Sequence, residues 1–125
     1  MVKADITYSD FEKLDIRVGL IVGASAPEWS EKLIRYEIDL GEEIGKRVLF
    51  SGIRKWITPE ELIGKKVPVV VNMAPKKMGD EESAGMVVMV DPSTSHSASL
   101  MAGSGQVAPV MIYLPDNLPI GSIIR

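Results

Sequence analysis

The chain lacks cysteine entirely and contains a single histidine among its 125 residues. Without cysteine it can form no disulfide, no thiolate nucleophile and no cysteine-based zinc site. The one histidine, His96, lies in the run Ser-Thr-Ser-His-Ser. A serine beside a histidine in sequence does not make a nucleophile–base pair, because that geometry is normally assembled from distant segments. We therefore expect His96 to be an ordinary loop residue, and we expect no metal and no cofactor.

Long hydrophobic runs are also missing, since none approaches the ~18 residues that a membrane-spanning helix needs. The first residues, Met-Val-Lys-Ala-Asp, lack the apolar segment of a secretory signal peptide. Together with the absence of cysteine, this predicts a cytoplasmic protein. A chain of 13.6 kDa with 46% hydrophobic and 25% charged residues has the size and composition of one globular domain, here residues 1–125.

No set of residues has the spacing of a catalytic centre. Gly103-Ser104-Gly105 is not followed by the Gly-Lys-Ser/Thr of a phosphate-binding loop. The acidic run Asp80-Glu81-Glu82 lacks the alternating spacing of a calcium loop. Adjacent carboxylates elsewhere give no sign of lying in a cleft. We therefore predict that the chain is not an enzyme.

Charge is unevenly distributed along the chain, although the formal net charge is only −3. Residues 46–77 include eight basic and two acidic residues, whereas the rest of the chain carries six basic and fifteen acidic ones. A basic centre within an acidic remainder can focus a positive field on one face of a domain. This pattern favours a nucleic-acid partner, and solvated strand ends are the alternative interpretation of the same residues.

Five segments have the composition of short β-strands. The clearest lies at 34–40, where four apolar residues alternate with three charged ones and so occupy opposite faces. Glycines at positions 19 and 23 predict a bend or a bulge in the first strand, and Pro68 predicts that the fourth strand is an edge or begins there. The remaining four strands are predicted at 16–23, 47–53, 66–73 and 85–90.

Two short helical turns accompany these strands. Thr58 as N-cap, proline directly after it and Glu61 as the closing residue of a capping box predict a helix start between the third and fourth strands. A glycine six residues after Thr58 limits this helix to about one turn. Another turn is expected near the N-terminus, with Ser9 or Asp10 as its N-cap.

The sequence therefore predicts an all-β fold. Short strands with glycine-bearing bends favour a five-stranded OB-fold barrel with a short connecting helix between strands 3 and 4 and a small C-terminal β extension. An open sandwich is the alternative. The barrel is expected at about residues 9–91 and the extension at about 106–125, separated by a Ser/Gly-rich loop at 91–105 that has no periodicity.

Several blocks of the chain resemble the tRNA-binding domain family, which occurs at the C-terminus of methionyl-tRNA synthetases, in synthetase cofactors and as free-standing proteins. The blocks cover nearly the whole chain in the family's order. They are Asp-Phe-Glu-Lys-Leu-Asp-Ile-Arg-Val-Gly at 10–19, Ser-Gly-Ile at 51–53, Pro-Glu-Glu-Leu-Ile-Gly-Lys at 59–65, the stretch 72–86 and the ending Pro-Ile-Gly-Ser-Ile-Ile-Arg.

The resemblance implies an OB fold that binds tRNA by its structure and without catalysis. It also implies a homodimer, as in free-standing members, and an aminoacyl-tRNA synthetase as a possible partner. A secretion-related chaperone branch of the same family binds polypeptide and supplies the alternative function. The family's binding positions fall on Ser51, Asn72, Lys76, Lys77, Ser83 and Met86.

Basic residues outside these positions extend the predicted RNA-binding site. If the second and third strands pair as a hairpin, Arg35 can share a surface with the basic residues on and after the third strand, which are Arg47, Arg54 and Lys55. Lysine and arginine supply the salt-dependent attraction to phosphate. Asn72 and Ser83 have an alternative role as turn-forming groups, and Met86 has one as a core residue.

Two loops depart from the family pattern. The family often has His-Pro-Asn/Asp-Ala-Asp-Lys-Leu after the first strand, whereas residues 26–33 here read Ala-Pro-Glu-Trp-Ser-Glu-Lys-Leu. The basic turn often has a third positive residue near position 79 or 80, where this chain has Gly79 followed by three acidic residues. These departures count against the family's RNA contacts from these loops, so we expect a modest affinity for tRNA or a partner other than tRNA.

Overall fold

The computed structural model describes residues 2–92 and 107–125, so His96 and most of the predicted 91–105 loop lie outside the described residues. The described residues form short helices and strands. None of these helices is long and apolar enough to cross a membrane. In chain order these are α1 (Tyr8–Phe11), β1 (Ile16–Ser25), β2 (Ile34–Asp39), β3 (Lys46–Ser51), α2 (Pro59–Leu62), β4 (Lys66–Val70), β5 (Lys76–Met78), β6 (Glu81–Ser83), β7 (Met86–Val87), β8 (Met89–Val90), β9 (Val110–Met111) and β10 (Ile123–Ile124).

The main sheet forms a nearly closed barrel. Its strands follow the order β3-β2-β1-β4-β7, and every neighbouring pair is antiparallel. The two ends of this order meet where the Ala84 N–H donates a hydrogen bond of 3.0 Å to the Val48 carbonyl. With α2 between β3 and β4, the predicted OB-fold barrel is confirmed, and the open sandwich is not observed.

The alternation at 34–40 places its apolar residues inside the barrel. Ile34, Tyr36 and Ile38 are 0% exposed, and Leu40 is 1% exposed. Each large apolar side chain buried in this way stabilises the fold by roughly 1.5–3 kcal/mol relative to an exposed one. Inward residues of the neighbouring strands complete one continuous core. The barrel interior is therefore filled by side chains, and ligands have to bind on its outside.

Strand β1 bends so that it can pair with a different strand along each half of its length. Its first half pairs with β4, its second half pairs with β2, and the register shifts between Ile21 and Gly23 as the predicted bulge requires. Gly19 allows the barrel wall to close tightly at this strand. A Cβ atom at Gly19 would lie only 2.6 Å from Cγ2 of Ile38.

The C-terminal segment adds the predicted small β extension. β10 pairs with the first residues of β1, and β8 pairs with β9. Beside β10, the Val18 N–H donates to the Ser122 carbonyl at 2.9 Å, and the Gly121 N–H donates to the Val18 carbonyl at 2.8 Å. The end of the chain thus covers the edge of β1 that β2 leaves free.

Pro68 lies inside a strand that is paired on both sides, so the prediction of an edge or a strand start is wrong. Pro68 faces Val18, whose backbone groups bond to the C-terminal segment instead. The Pro68 carbonyl accepts a hydrogen bond of 3.0 Å from the Val88 N–H. The side of Pro68 that lacks a backbone N–H therefore faces β7. Because β7 is short, the absence of one donor does not interrupt a long ladder of hydrogen bonds.

The first helix begins at a different cap from those predicted, whereas the second has the predicted N-cap, Thr58, with different hydrogen bonds. α1 begins after Thr7, because the Asp10 N–H donates to Thr7 Oγ1 at 3.2 Å, so neither Ser9 nor Asp10 is the N-cap. α2 begins where the sequence predicted. The Thr58 hydroxyl, however, donates to a Glu61 carboxylate oxygen at 3.1 Å and makes no bond to the helix backbone. A side-chain pair thus replaces the expected capping box.

Candidate nucleic-acid interface

The charged stretch after β4 folds into a small hairpin where the sequence predicted a loop. β5 and β6 pair antiparallel, with Lys76 opposite Ser83. The two-residue turn between them contains Gly79 at φ +63°, a left-handed conformation that favours glycine. In OB folds, ligands bind beside the loop between the first two strands and the loop after the fourth. The charged hairpin (residues 76–83) and the first loop (residues 26–33) therefore define the candidate interface.

One face of the charged hairpin is fastened to the barrel by two side chains. Ser83 is 7% exposed, and its hydroxyl oxygen accepts a hydrogen bond of 3.1 Å from the Phe50 N–H. Glu81 lies on the same face, because residues two apart in a strand point the same way. Its carboxylate accepts two hydrogen bonds from Arg35, at 2.7 and 2.9 Å. Ser83, predicted as a contact with RNA, thus has a structural role.

The ion pair of Arg35 with Glu81 explains why an acidic residue is present in a hairpin that was predicted to bind RNA. Bidentate pairing of this kind is strong and directional. The hydrogen bonds from Arg35 lower the pKa of Glu81 from its usual value. Arg35 also lies 3.8 Å from Glu37, so its positive charge is compensated within the chain. Glu81 therefore anchors the charged hairpin to β2.

Arg47 closes the barrel from the inner side of β3. It lies opposite the fully buried Ile38, and its Nη1 donates to the Val71 carbonyl at 2.6 Å and to the Ala84 carbonyl at 3.3 Å. β2 and β3 do pair as a hairpin, but Arg35 occupies the opposite face of that hairpin. The prediction that these two arginines share a surface is therefore wrong.

Arg54 determines the shape of the first loop. Its guanidinium donates to the carbonyls of Pro27, at 3.2 Å, and Ser30, while its own N–H donates to the Lys32 carbonyl at 3.1 Å. The Ser30 hydroxyl oxygen accepts hydrogen bonds of 3.2 Å from the N–H groups of Lys32 and Leu33. A planar guanidinium with several donors is suited to hold two carbonyls at once. Arg54 is thus engaged with the loop backbone.

Asn72 joins the end of β4 to the segment before β1. Its Oδ1 accepts a hydrogen bond of 2.9 Å from the Asp15 N–H, and its Nδ2 donates to the Lys13 carbonyl at 2.6 Å. The neighbouring Val71 N–H also donates to the Asp15 carbonyl, at 2.8 Å. The amide of Asn72 therefore bonds the backbone of a distant segment, and not that of its own turn.

Ser51 and Met86 are both half-buried within strands of the barrel. Ser51 ends β3 opposite Ile34, beside the hydroxyl of the fully buried Tyr36. Burial raises the pKa of Tyr36 to about 12, although the nearby Ser51 hydroxyl acts in the opposite direction. Met86 lies opposite Val70 in the β4–β7 pair. Each side chain thus offers only part of its surface to a partner.

Three lysines are the predicted site residues whose charged groups remain free. Lys55, Lys76 and Lys77 are exposed, and within residues 2–92 and 107–125 none of them forms an ion pair or a side-chain hydrogen bond. The Lys55 ammonium lies 5.6 Å from the centroid of the Trp56 ring, a cation–π contact on the surface. These ammonium groups can meet phosphate oxygens without first breaking an internal ion pair.

Trp29 is a residue at this interface for which the sequence predicted no role. It is 54% exposed, and its ring centroid lies 5.8 Å from that of Phe50 at an interplanar angle of 53°. A Cβ atom at Gly79 would come within 2.9 Å of the Trp29 ring, so the first loop meets the charged hairpin through this contact. A tryptophan in an otherwise polar predicted loop is the signal that could have identified it.

The described part of the chain contains no group of three or more His, Asp or Glu side chains placed to hold a metal ion. Of the acidic run in the hairpin, Glu81 is engaged by Arg35, while Asp80 and Glu82 are exposed. The carboxylates of this run therefore do not converge on one point. What the interface can offer a ligand is ammonium groups, polar backbone and one aromatic ring.

Comparison with known proteins shows that the chain is similar to a tRNA-binding domain family and to parts of methionine–tRNA ligases. A family model described as a putative tRNA binding domain matches residues 16–111. The methionine–tRNA ligase of Clostridium tetani is 35% identical over 123 residues, which make up 98% of this chain and 17% of that protein. Against the methionine–tRNA ligases compared, the chain spans only 12% to 17% of their length.

Two solved structures share the fold over nearly the whole chain. The MetRS-related protein from Pyrococcus horikoshii superposes with a TM-score of 0.82 at 29% identity, covering 98% of this chain and 100% of that one. The chaperone CsaA from Bacillus anthracis superposes with a TM-score of 0.77 at 30% identity, with the same coverage of 98% and 100%. Both kinds of protein therefore use this architecture.

Replacing Ser83 with alanine tests its structural role. Ser83→Ala removes the acceptor of the Phe50 N–H in a buried place, so we expect the free energy of unfolding to fall by about 1–3 kcal/mol. Urea denaturation followed by circular dichroism measures the change. Lys77→Ala, on the outward face of the same hairpin, serves as the control and should change stability by less than about 0.5 kcal/mol. Equal stability of Ser83→Ala and wild type would contradict this role.

Proposed function

This chain belongs to the tRNA-binding domain family, and we propose that it binds tRNA through the free lysines of the charged hairpin without catalysing a reaction. The observation that carries the proposal is the division of charge at the interface. Arg35, Arg47 and Arg54 are engaged within the chain, whereas Lys76 and Lys77 are exposed and unpaired. Exposed, unpaired ammonium groups can attract phosphate without first breaking contacts within the chain.

Recognition of RNA shape fits this arrangement. A folded RNA presents phosphates at fixed positions, and proteins commonly recognise it through backbone and shape. The charged hairpin is fastened to β2 and β3 by Glu81 and Ser83, so its lysines project from a rigid support. Of the predicted site residues, Lys55, Lys76 and Lys77 are assigned direct phosphate contacts. The other seven support the surface: Arg35, Arg47, Ser51, Arg54, Asn72, Ser83 and Met86.

A homodimer is the second part of the proposal. Apolar side chains from both ends of the chain come together in one patch, the end patch, which is formed by Tyr8, Phe11, Leu14 and Ile123. These residues are 72%, 40%, 46% and 56% exposed, and they line a groove between α1 and β10. Contiguous exposed apolar surface of this kind marks interaction sites. A second copy of the chain, with the same patch, is the occupant we propose.

The dimer gives tRNA binding an additional advantage. Two copies present two sets of free lysines, and binding at one set raises the effective concentration of the RNA at the other. Association with an aminoacyl-tRNA synthetase in the cytoplasm, as a cofactor or as a part of it, is consistent with the methionine–tRNA ligases that share this domain. Catalysis would then lie in segments of those ligases that this chain does not match.

Polypeptide binding is the alternative function. It is favoured by the likeness to the chaperone CsaA from Bacillus anthracis, at 30% identity over 98% of this chain. A chaperone needs accessible apolar surface to hold an unfolded segment. If the end patch is buried between two copies, exposed apolar side chains remain among the described residues, including the cross-strand neighbours Val90 and Val110, at 46% and 51% exposed. We rank this function second because the family model that matches residues 16–111 is described as a tRNA binding domain.

Removing the two hairpin lysines tests tRNA binding. If Lys55, Lys76 and Lys77 each contact one phosphate, the plot of log K against log salt should have a slope of about −2 to −3. Lys76→Ala combined with Lys77→Ala should weaken binding and reduce the magnitude of that slope by about 0.7–0.9 for each lost contact. Salt-titrated gel shifts with bulk tRNA give both quantities. The control, Lys3→Ala combined with Lys13→Ala, changes net charge equally and should retain affinity.

Binding that does not vary with salt would contradict the proposal, and so would equal affinities of the two double variants.

A charge placed in the end patch tests the dimer. Leu14→Glu should convert the wild-type dimer to a monomer, because the interface would have to bury an unpaired carboxylate. Light scattering coupled to size-exclusion chromatography measures the mass directly. Ile63→Glu is the matched control, since Ile63 is 48% exposed but lies outside the patch. A monomeric wild type, or a dimer that survives Leu14→Glu, would contradict the proposed interface.

A further inference from the structure

We propose that Trp29 is a stacking platform for an unpaired base of the bound RNA, an inference that rests on the tRNA binding proposed above. Trp29 lies where the first loop meets the charged hairpin, at the part of an OB fold that commonly binds oligonucleotides. About half of its surface, 54%, is exposed although the ring is already packed on two neighbours. An aromatic ring so placed can accept any base, because every base has a π-face.

The ring is held in place before RNA arrives. Arg54 fixes the loop by donating to the carbonyls of Pro27 and Ser30, on either side of Trp29. Phe50 contacts the ring at a centroid distance of 5.8 Å, and Gly79 offers backbone without a side chain beneath it. A side chain that is already ordered loses little entropy on binding. Arg54, engaged within the chain, would thus contribute to RNA binding as a positioning residue.

Gly79 has the residue type that this contact requires. A Cβ atom there would lie 2.9 Å from Cε2 and Cζ2 of Trp29, closer than side chains tolerate, and its φ of +63° also favours glycine. The first loop and the charged hairpin therefore meet where the Trp29 ring packs on the backbone of Gly79, which has no side chain.

The charges around the ring distinguish a base from a phosphate. Glu28 and Glu31 are exposed neighbours of Trp29 in the first loop, and Asp80 follows Gly79 in the hairpin. These exposed carboxylates, each within two residues of Trp29 or Gly79 in the sequence, disfavour phosphate in this part of the interface. Lys76 and Lys77, at the start of the same hairpin, attract it a few residues away. An extended nucleotide with its base on the ring and its phosphate toward the lysines avoids the carboxylates and contacts the ammonium groups.

Fluorescence offers a test that leaves Trp29 intact. The chain has two tryptophans, so Trp56→Phe makes Trp29 the only reporter. This variant is titrated with a short single-stranded oligouridylate, with a blunt-ended RNA duplex of the same length, and with bulk tRNA. We expect quenching with the oligouridylate and with tRNA, and little change with the duplex. Unchanged fluorescence while gel shifts report binding of all three would overturn the platform.

Substitutions of Trp29 supply the second measurement. Trp29→Ala should weaken oligouridylate binding by about 5- to 150-fold, the range that corresponds to about 1–3 kcal/mol per stacked base. Affinity for the duplex should be retained, and Trp29→Phe should recover most of the loss because it keeps an aromatic face. Equal affinities of Trp29→Ala and wild type for the single strand would overturn the platform.

The two proposals fail in different ways. If Trp29→Ala binds every RNA like wild type while Lys76→Ala combined with Lys77→Ala binds them weakly, the platform is refuted and tRNA binding stands. If no RNA binds the wild-type protein in a salt-dependent manner, both are refuted. Weaker binding of single strand and duplex alike by Trp29→Ala would also count against stacking, since a duplex offers no unpaired base.

Discussion

The closure of the barrel between β3 and the segment that follows the charged hairpin is the constraint on which the rest of this structure depends. β3 is the last strand on one side of the sheet, and β7 contributes only two residues on the other. One backbone hydrogen bond between Ala84 and Val48 spans the gap, and side-chain bonds between Ser83 and the Phe50 N–H and between Arg47 and the Ala84 carbonyl supply the others. Unpaired backbone groups buried at such a gap would be costly. Two polar side chains of the predicted RNA site are therefore used for closure.

This constraint also decides which positive charges remain available. Arginine, with a planar fork of donors, bonds carbonyls and carboxylates within the chain at four places, which are Arg17, Arg35, Arg47 and Arg54. Lys66 is likewise engaged, since its ammonium donates to the carbonyls of Asp116 and Leu118. Lys55, Lys76 and Lys77, by contrast, are exposed. The basic centre of the sequence thus contains residues that build the support and three lysines that face solvent. The acidic residue Glu81 belongs to the support as well, through Arg35.

Much of the fold could be predicted from the sequence, because strands that alternate at 34–40 or contain glycine bends carry their own local signal. The charged hairpin could not, since three-residue strands of lysine and glutamate have weak β-propensity and are held by distant partners. The same reason applies to the site. The resemblance to the family located Ser83 and Asn72, but their roles come from Phe50 and Asp15, which lie 33 and 57 positions away in the chain. Trp29 depends likewise on Gly79, far along the sequence.

The central claim is that lysines, and not the internally bonded arginines, make the contacts with tRNA. Chemical footprinting tests it most directly, by acylating lysines and, separately, modifying arginines with a dicarbonyl reagent, with and without bulk tRNA, followed by mass spectrometry of the peptides. We expect tRNA to protect Lys55, Lys76 and Lys77, and we expect Arg35, Arg47 and Arg54 to react slowly in both states. Unchanged reactivity of the three lysines, with strong tRNA-dependent protection of the arginines, would contradict it.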